Sequence, residues 1–229
     1  MPNARNDIMI VLHHCHQTRS MRTLWLLNEL GVEYSLRIHP FDRSLRDPEY
    51  LSLNPAGRVP SLQIDGDSLW ESGAITEILC ERFPERGLGR PPGDIDRPDF
   101  LIWVHFAETV SQHAAALTQQ HVALYEDAMR SQTIMKLEAA RLKKCYAAIE
   151  GRLSTPVENR DYLLTSGFSA ADISVGQAVY MARHFAALDG FPETERWYEA
   201  ISGRETFQQA LPPPGSERLY DKSFYPAWD

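Results

Sequence analysis

The hydrophobic pattern of this chain changes character once, across a segment rich in proline and glycine between positions 84 and 98. Before that segment, short apolar runs alternate with runs of helical spacing. After it, only long helical patterns follow, joined by short polar breaks. Proline and glycine interrupt regular structure, so such a segment is typical of a linker. We therefore predict a small α/β domain at 8–84, a linker at 85–96 and an all-helical domain at 97–229.

The first domain has the predicted order β-α-β-α-β-β-α, with a hairpin signal at Asp65-Gly66 and a helix stop at Gly31. Its predicted strands lie at 8–12, 34–38, 62–64 and 69–70, and its predicted helices at 21–30, 47–53 and 72–83. The second domain has predicted helices at 100–124, 129–153, 170–187 and 193–201. We expect the irregular tail, residues 212–229, to pack against the rest of the protein, because so much aromatic surface is not left in water. Its aromatic residues are Tyr220, Phe224, Tyr225 and Trp228.

Composition excludes several classes of function. With 43% apolar residues the chain can form an ordinary core, and its net charge of -8 disfavours nucleic-acid and anionic membrane partners. No apolar run approaches the ~18 residues that span a bilayer. The N-terminus lacks the apolar core of a signal peptide, and three widely spaced cysteines do not make a disulfide framework. We therefore expect a cytoplasmic protein.

A proline just before a predicted strand marks one candidate binding element. If the Val59-Pro60 bond is cis, the backbone N–H and C=O of Val59 turn outward. Those two groups could then pair with an extended peptide as a short strand would. A plain loop with two prolines explains the same spacing, so the pattern alone leaves both interpretations open.

Two helix beginnings are candidate anion sites. Ser72, as the N-cap of the last helix of the first domain, would leave N–H groups and the positive helix end facing outward, which suits a carboxylate. Glu71 beside it suits an ammonium group, so the pair could recognise a free α-amino acid group. Thr18, at the start of the first helix, offers a hydroxyl to an anion. Ordinary helix caps explain each of these residues taken alone.

The run His13-His14-Cys15-His16 resembles a set of metal ligands only superficially. Neighbouring residues at a strand end point to opposite faces, so they do not converge on one ion, and we predict no metal site. A redox role for Cys15 is a second interpretation, because a helix N-terminus lowers a thiol pKa. Cys80 and Cys145 fall on helical patterns and are predicted to be buried fillers.

Taken in order, these features resemble the cytosolic glutathione transferase family, and bacterial-type members with a serine- or threonine-like sulfur site in particular. The resemblance spans nearly the whole chain and implies a thioredoxin-like domain followed by a helical bundle. It rests on four segments: Ser20–Gly31 as the first helix, Asn54–Pro60 as the cis-proline loop, Glu71–Ile75 as the γ-glutamyl site and Ser169–Asp172 as a capping box.

The resemblance also implies roles for individual residues. Val59 would bind the cysteinyl backbone of glutathione, with Pro60 setting the geometry. Glu71 and Ser72 would hold the γ-glutamyl ammonium and carboxylate, and Arg58 would lie near the glycyl carboxylate. Thr18 would be catalytic, since it falls where many members carry the serine that contacts the sulfur.

The implied activity is thiolate stabilisation followed by attack on a small hydrophobic electrophile. We predict that Trp103, Phe106 and His113 contact that second substrate. The family is usually a homodimer and acts in detoxification, with glutathione as co-substrate and no metal. Two alternatives stay open: reduction of disulfides or peroxides by bound glutathione, and a non-catalytic scaffold with a transferase-like fold.

Overall fold

The computed structural model describes residues 9–155 and 160–227. Its N-terminal part contains a four-stranded sheet with the strand order β2-β1-β3-β4. The pair β1–β2 is parallel, and the pairs β1–β3 and β3–β4 are antiparallel. The elements of this part are β1 (Ile10–His14), α1 (Ser20–Leu30), β2 (Ser35–Ile38), α2 (Pro48–Leu53), β3 (Ser61–Ile64), β4 (Asp67–Trp70) and α3 (Ser72–Arg82). The predicted order β-α-β-α-β-β-α is confirmed.

The first strand lies further along the chain than predicted. It runs over Ile10–His14, whereas the prediction ended it at Leu12 and began a turn at His13. Polarity misled that prediction, because both histidines are buried in the strand and their ring nitrogens are hydrogen-bonded to other side chains. Ile8, the first residue of the predicted strand, lies outside the described residues.

The C-terminal part is helical in the described ranges. Its helices are α4 (Arg97–Thr118), α5 (Gln132–Ser154), α6 (Ala170–Ala182), α7 (Pro192–Ser202) and the short α8 (Glu205–Gln208), which the sequence pattern did not reveal. The prediction extended the first of these to 124, but after Thr118 the backbone continues as a π-helix to Ala123. The capping box is confirmed: the Asp172 carboxylate accepts from the Ser169 N–H at 2.9 Å, and the Ser169 hydroxyl accepts from the Ala171 N–H at 3.2 Å.

Helix α6 is the centre of the core. It contacts α1, α3, α4 and α7, and every one of its residues except Tyr180 is buried. A helix that is apolar all round belongs in the interior, where it has neighbours on every side. Through its contact with α1, this helix joins the sheet-bearing part to the helical part.

The predicted linker is bonded to the helical part. The Arg90 guanidinium donates to the Ser166 hydroxyl at 2.9 and 2.8 Å. The carboxylate of Asp96 accepts from the Ser166 N–H at 3.0 Å. Both contacts hold the segment against the loop that leads into α6.

The tail packs back on the body, as expected, through Tyr220 and Tyr225, which are buried. The backbone N–H of Tyr220 donates to the Gln17 side chain at 3.0 Å, and its hydroxyl lies 2.9 Å from that of Thr118. Phe224 is exposed, contrary to expectation, and Trp228 lies outside the described residues. The tail thereby becomes a wall beside the β1–α1 loop.

None of the helices in 9–155 and 160–227 combines the length and apolar composition that a bilayer crossing requires.

Candidate functional site

The loop before β3 is held by side chains from α2 and from the loop itself. The Val59-Pro60 bond is cis, which the resemblance implied and the spacing alone left open. The carbonyl of Arg58 accepts from the Tyr50 hydroxyl and from the Asn54 amide, each at 2.7 Å. Among the described residues, neither the N–H nor the C=O of Val59 has a hydrogen-bond partner. Two backbone groups on a fixed loop are therefore available to an extended peptide.

The sheet register places this loop beside the end of β1. His13 pairs with Ser61 in the antiparallel β1–β3 ladder. Continuing that register by two residues brings Val59 level with Cys15. A peptide segment paired with Val59 therefore lies next to the loop that joins β1 to α1.

The start of α3 is the second element of the site. Glu71 is the N-cap, and Ser72 is the first helical residue rather than the cap that we predicted. No side chain caps the first N–H groups of this helix, which leaves its positive end open to an anion. Glu71 is exposed and has a φ of 69°, a left-handed conformation that side chains of this size rarely adopt. Such backbone outliers concentrate at ligand sites.

A polar network beneath Ser72 joins the two parts of the protein. Arg22 on α1 is fully buried, and its guanidinium donates to the Ser72 hydroxyl at 2.9 Å and to the Glu108 carboxylate at 2.5 Å. It also donates to Ser111 at 3.2 Å, and Arg19 approaches Glu108 to 3.2 Å. Sequence reasoning missed this network, although an arginine between the apolar residues Met21 and Leu24 of a helix was a signal for it.

The charge on Glu108 is fixed by that network. Burial by itself raises the pKa of its carboxyl group, but the guanidinium groups of Arg22 and Arg19 outweigh burial and hold the pKa below its usual value. Glu108 is therefore ionised at neutral pH and neutralises the buried Arg22.

A cavity of about 750 Å³ opens at the end of β1. This volume lies within the range of ~300–1,000 Å³ typical of small-molecule sites. The walls mix apolar and charged groups, and they come from four separate parts of the chain. They are Cys15 and His16, residues 38–41, Val122 with Ala123, and residues 216–219 with Asp221.

Thr18 lies at this end of the sheet but does not line the cavity. It is buried, and its hydroxyl donates to the Cys15 carbonyl at 2.7 Å. The hydroxyl carries a single proton. To donate to a glutathione sulfur, as the resemblance implied, the Thr18 hydroxyl would have to leave this carbonyl.

The histidines next to the cavity form two separate groups. His13 contacts His39 at 2.9 Å and Gln63 at 3.3 Å, whereas His14 contacts His16 at 3.2 Å and Ser20 at 2.8 Å. Neighbouring strand residues thus point to opposite faces, as the strand geometry predicted. Among the described residues, no group of three or more His, Cys, Asp or Glu side chains is arranged to hold a metal ion.

The redox interpretation of Cys15 is wrong in its premise. Cys15 is buried, and burial, with a contribution from Glu217, raises the pKa of its thiol to about 11. A helix N-terminus lowers a thiol pKa only at close range, and α1 begins five residues later. Cys80 and Cys145 are buried, as predicted for fillers.

The three residues predicted for the second substrate do not line the cavity. The rings of Trp103 and Phe106 are half-buried and contact each other edge to face, 5.3 Å apart. The Nδ1 atom of His113 lies 2.6 Å from the carboxylate of Glu138 on α5. Periodicity predicted α4 but could not say which face meets the cavity. Arg58 is exposed at the loop before β3.

Family models match most of the chain. The model of the glutathione S-transferase N-terminal domain matches residues 12–87, and that of the C-terminal domain matches residues 113–205. Among curated relatives, the glutathione S-transferase-like protein gedE of Aspergillus terreus is 43% identical over 211 residues, covering 84% of this chain and 92% of that protein. Glutathione S-transferase 4 of Zea mays is 31% identical over 191 residues, covering 80% and 82%.

Solved structures share the fold. A glutathione transferase from Phanerochaete chrysosporium, crystallised with oxidized glutathione, superposes with a TM-score of 0.77 at 22% identity and covers 91% of this chain and 95% of its own. A homologue from Lodderomyces elongisporus with two glutathione molecules per subunit reaches 0.78 at 20% identity, with coverage of 88% and 96%. From the family models and the curated relatives together, we conclude that the chain belongs to the glutathione S-transferase family.

Proposed function

We propose that the protein is a glutathione transferase that stabilises the glutathione thiolate for attack on a small hydrophobic electrophile. The observation that carries this proposal is the backbone N–H and C=O of Val59, which have no partner among the described residues. They lie on a fixed loop, and the continued β1–β3 register brings Val59 level with Cys15 of the cavity wall. Solved structures of the same fold that contain bound glutathione support the choice of ligand.

In this proposal each part of the peptide has its own contact. The cysteinyl backbone pairs with Val59, whose position Pro60 sets. The γ-glutamyl carboxylate binds the open N-terminus of α3 and the Ser72 hydroxyl, whose proton turns to it from the Glu108 carboxylate 3.3 Å away. The γ-glutamyl ammonium binds Glu71. Arg58, which has no ion-pair partner among the described residues, is free to approach the glycyl carboxylate.

The energy that the chemistry requires is modest. A thiol with a pKa near ~8.5 is only a few per cent ionised at pH 7, and lowering that pKa by ~2 units requires about 2.7 kcal/mol. One hydrogen bond to a charged acceptor contributes roughly 1.5–3 kcal/mol. A single donor aimed at the sulfur therefore suffices, whether Thr18 or another group of the β1–α1 loop supplies it.

Reduction of a disulfide by bound glutathione is the second candidate. This reaction needs room for a second glutathionyl group and does not need a second protein thiol. The cavity volume of about 750 Å³ favours it. The raised pKa of Cys15 disfavours a mechanism that uses this cysteine as the nucleophile. A pure scaffold would have no use for the free Val59 groups and the open helix end together.

Two further expectations accompany this function. Members of the family are usually homodimers. In this chain Ile102 on α4 is 60% exposed, and a dimer contact would cover such an apolar side chain. The composition favours a cytoplasmic location. Light scattering of the purified protein tests the first, and fractionation of the source cells tests the second.

Calorimetry with glutathione tests the site, on the wild type, on Ser72→Ala and on Ser202→Ala. Ser202 lies at the end of α7 and its hydroxyl donates only to the Glu199 carbonyl of the same helix, so it is the matched control. We expect binding in the wild type and the control, weakened in Ser72→Ala by about 1–3 kcal/mol, or roughly 5–150-fold. Absence of heat in a folded wild type would favour the scaffold. Activity with an aryl halide against a small disulfide then separates transferase from reductase.

A further inference from the structure

The proposed function needs a hydrogen-bond donor at the sulfur, and the hydroxyl of Thr18 is already used by the Cys15 carbonyl. In the β1–α1 loop, the cavity is lined only by Cys15 and His16. Cys15 has a thiol whose pKa is raised, so it offers a weak donor and no charge. His16 is half-buried and carries a ring with two nitrogen atoms.

A chain of hydrogen bonds leads from the interior to His16. The Ser20 hydroxyl lies 2.8 Å from Nδ1 of His14. The other ring nitrogen of His14, Nε2, lies 3.2 Å from Nδ1 of His16. Nε2 of His16 has no hydrogen-bond partner in the part of the chain that the structure describes, and it forms the outer end of the chain of hydrogen bonds, on a residue of the cavity wall.

The direction of this chain follows from its inner end. The Cys15 carbonyl is 2.7 Å from the Thr18 hydroxyl and 3.2 Å from the Ser20 hydroxyl, whereas Ser20 is only 2.8 Å from His14. Ser20 Oγ also accepts the Cys15 N–H at 3.1 Å and lies 2.9 Å from the Thr18 hydroxyl. Three acceptors are therefore within reach of its single proton, and we assign that proton to the shortest contact, Nδ1 of His14.

Each neutral imidazole carries one proton, on one of its two nitrogens. If Nδ1 of His14 accepts, its Nε2 donates to Nδ1 of His16. Nε2 of His16 then carries the remaining N–H and donates into the cavity.

Burial keeps the inner ring neutral, which this arrangement requires. It lowers the pKa of His14 to about 3, with a further contribution from His16. Burial also lowers the pKa of His16. Other ionisable groups on the cavity wall are His39 at the end of β2 and Glu217, Arg218 and Asp221 of the tail.

We propose that His16 is the catalytic residue that contacts the sulfur of bound glutathione, donating its Nε2–H to the thiolate, and that His14 and Ser20 are positioning residues that fix its tautomer. This rests on the proposed function and replaces Thr18 in the sulfur role. The proton of the thiol leaves to water through the open cavity. The thiolate then forms the carbon–sulfur bond while the electrophile loses its leaving group with the bonding pair.

The position of His16 along the sheet supports the assignment independently of the hydrogen bonds. The cysteinyl segment of a peptide paired with Val59 runs level with Cys15, by continuation of the β1–β3 register. His16 is the next residue along the chain. The sulfur of glutathione is separated from that cysteinyl backbone by only one carbon of the side chain. It therefore lies within reach of the β1–α1 loop.

The test uses His16→Leu, which removes the donor, and His16→Gln, which keeps an amide N–H at a similar reach. His105→Leu is the matched control, because His105 is 64% exposed on α4, does not line the cavity and contacts Glu77 of α3 rather than the β1–α1 loop. The ultraviolet absorbance of the bound thiolate, followed against pH, reports the pKa of glutathione in each complex. The value of kcat/KM with an aryl halide, and glutathione affinity by calorimetry, are measured beside it.

We expect His16→Leu to raise the pKa of bound glutathione by about 1–2 units and to lower kcat/KM roughly 10–100-fold, the size of one hydrogen bond to a charge. We expect glutathione affinity at low pH, where the thiol is protonated, to stay within about threefold. His16→Gln should recover most of the thiolate, and His105→Leu should match the wild type.

An unchanged thiol pKa in His16→Leu overturns the proposal. A larger shift in Thr18→Val than in His16→Leu also overturns it and returns the sulfur role to the threonine. If the wild type binds no glutathione at all, the proposed function itself fails, which calorimetry distinguishes from loss of the thiolate alone.

Discussion

His14 is a fully buried ionisable residue, and both of its ring nitrogens have partners inside the protein. Burial lowers its pKa in the folded state to about 3, from 6.5 in an exposed histidine. Between these two values, the unfolded chain binds a proton that the folded protein does not bind. The free energy of unfolding is therefore undiminished by His14 above pH 6.5, and it falls as the pH decreases below that value.

We predict that acidification from pH 7 to pH 5 removes roughly 2 kcal/mol of stability through His14 alone, at about 1.4 kcal/mol per pH unit below 6.5. Urea unfolding at both pH values measures this in the wild type and in His14→Gln, which cannot take up the proton. The variant should lose correspondingly less on acidification. An exposed substitution, His105→Gln, should keep the wild-type difference, and equal losses in all three proteins would contradict the prediction.

At the scale of the element, α6 owes its central place to a glycine as well as to its apolar residues. A Cβ atom at Gly176 would lie 2.5 Å from Ile201 Cδ1 and 3.2 Å from the Trp25 ring. Both neighbours are fully buried, so neither can move aside easily. The glycine lets α1 and α7 approach α6 closely.

We therefore predict that Gly176→Ala destabilises the protein by about 1–3 kcal/mol, because overpacking outweighs the gain in helix propensity. Gly151 on α5 is the matched control, since a Cβ there meets nothing within 4 Å. Gly151→Ala should stabilise by roughly 0.5–1 kcal/mol. Thermal unfolding of the two variants should thus shift in opposite directions, and a stabilising Gly176→Ala would show that the helices separate at little cost.

At the scale of the whole molecule, the buried pair Arg22–Glu108 joins the sheet-bearing part to the helical part. Arg22 has no exposed surface, whereas 37% of the Glu108 side chain is exposed. Removing the carboxylate leaves the buried guanidinium of Arg22 without a counter-ion, which lowers stability. Because water reaches position 108, the loss is smaller than for a fully buried ion pair.

We predict that Glu108→Gln costs about 2–4 kcal/mol of stability, and that Arg22→Met with Glu108→Gln costs less than the sum of the two single changes. A double-mutant cycle from urea unfolding measures this coupling. Additive losses would mean that the Arg22–Glu108 pair adds no coupling between the two parts.

The sequence by itself determined the order of the elements and the helix start at Ser169, whereas the spacing left the geometry of the Val59-Pro60 bond open until the resemblance implied a cis bond. The first two depend on local signals: the period of apolar residues and the short reach of a capping side chain. It also predicted that His13 and His14 point apart, since that follows from strand geometry alone.

Only the tertiary structure decided what surrounds the cavity. Its walls come from segments as far apart in sequence as His16 and Arg218, and no local pattern relates their positions. In the structure the Thr18 hydroxyl donates to the Cys15 carbonyl, and the ring of His113 contacts Glu138 of α5. The structure also placed His16 at the end of a hydrogen-bond chain. Which face of a helix meets a cavity depends on the packing of all its neighbours, and that packing is a property of the whole fold.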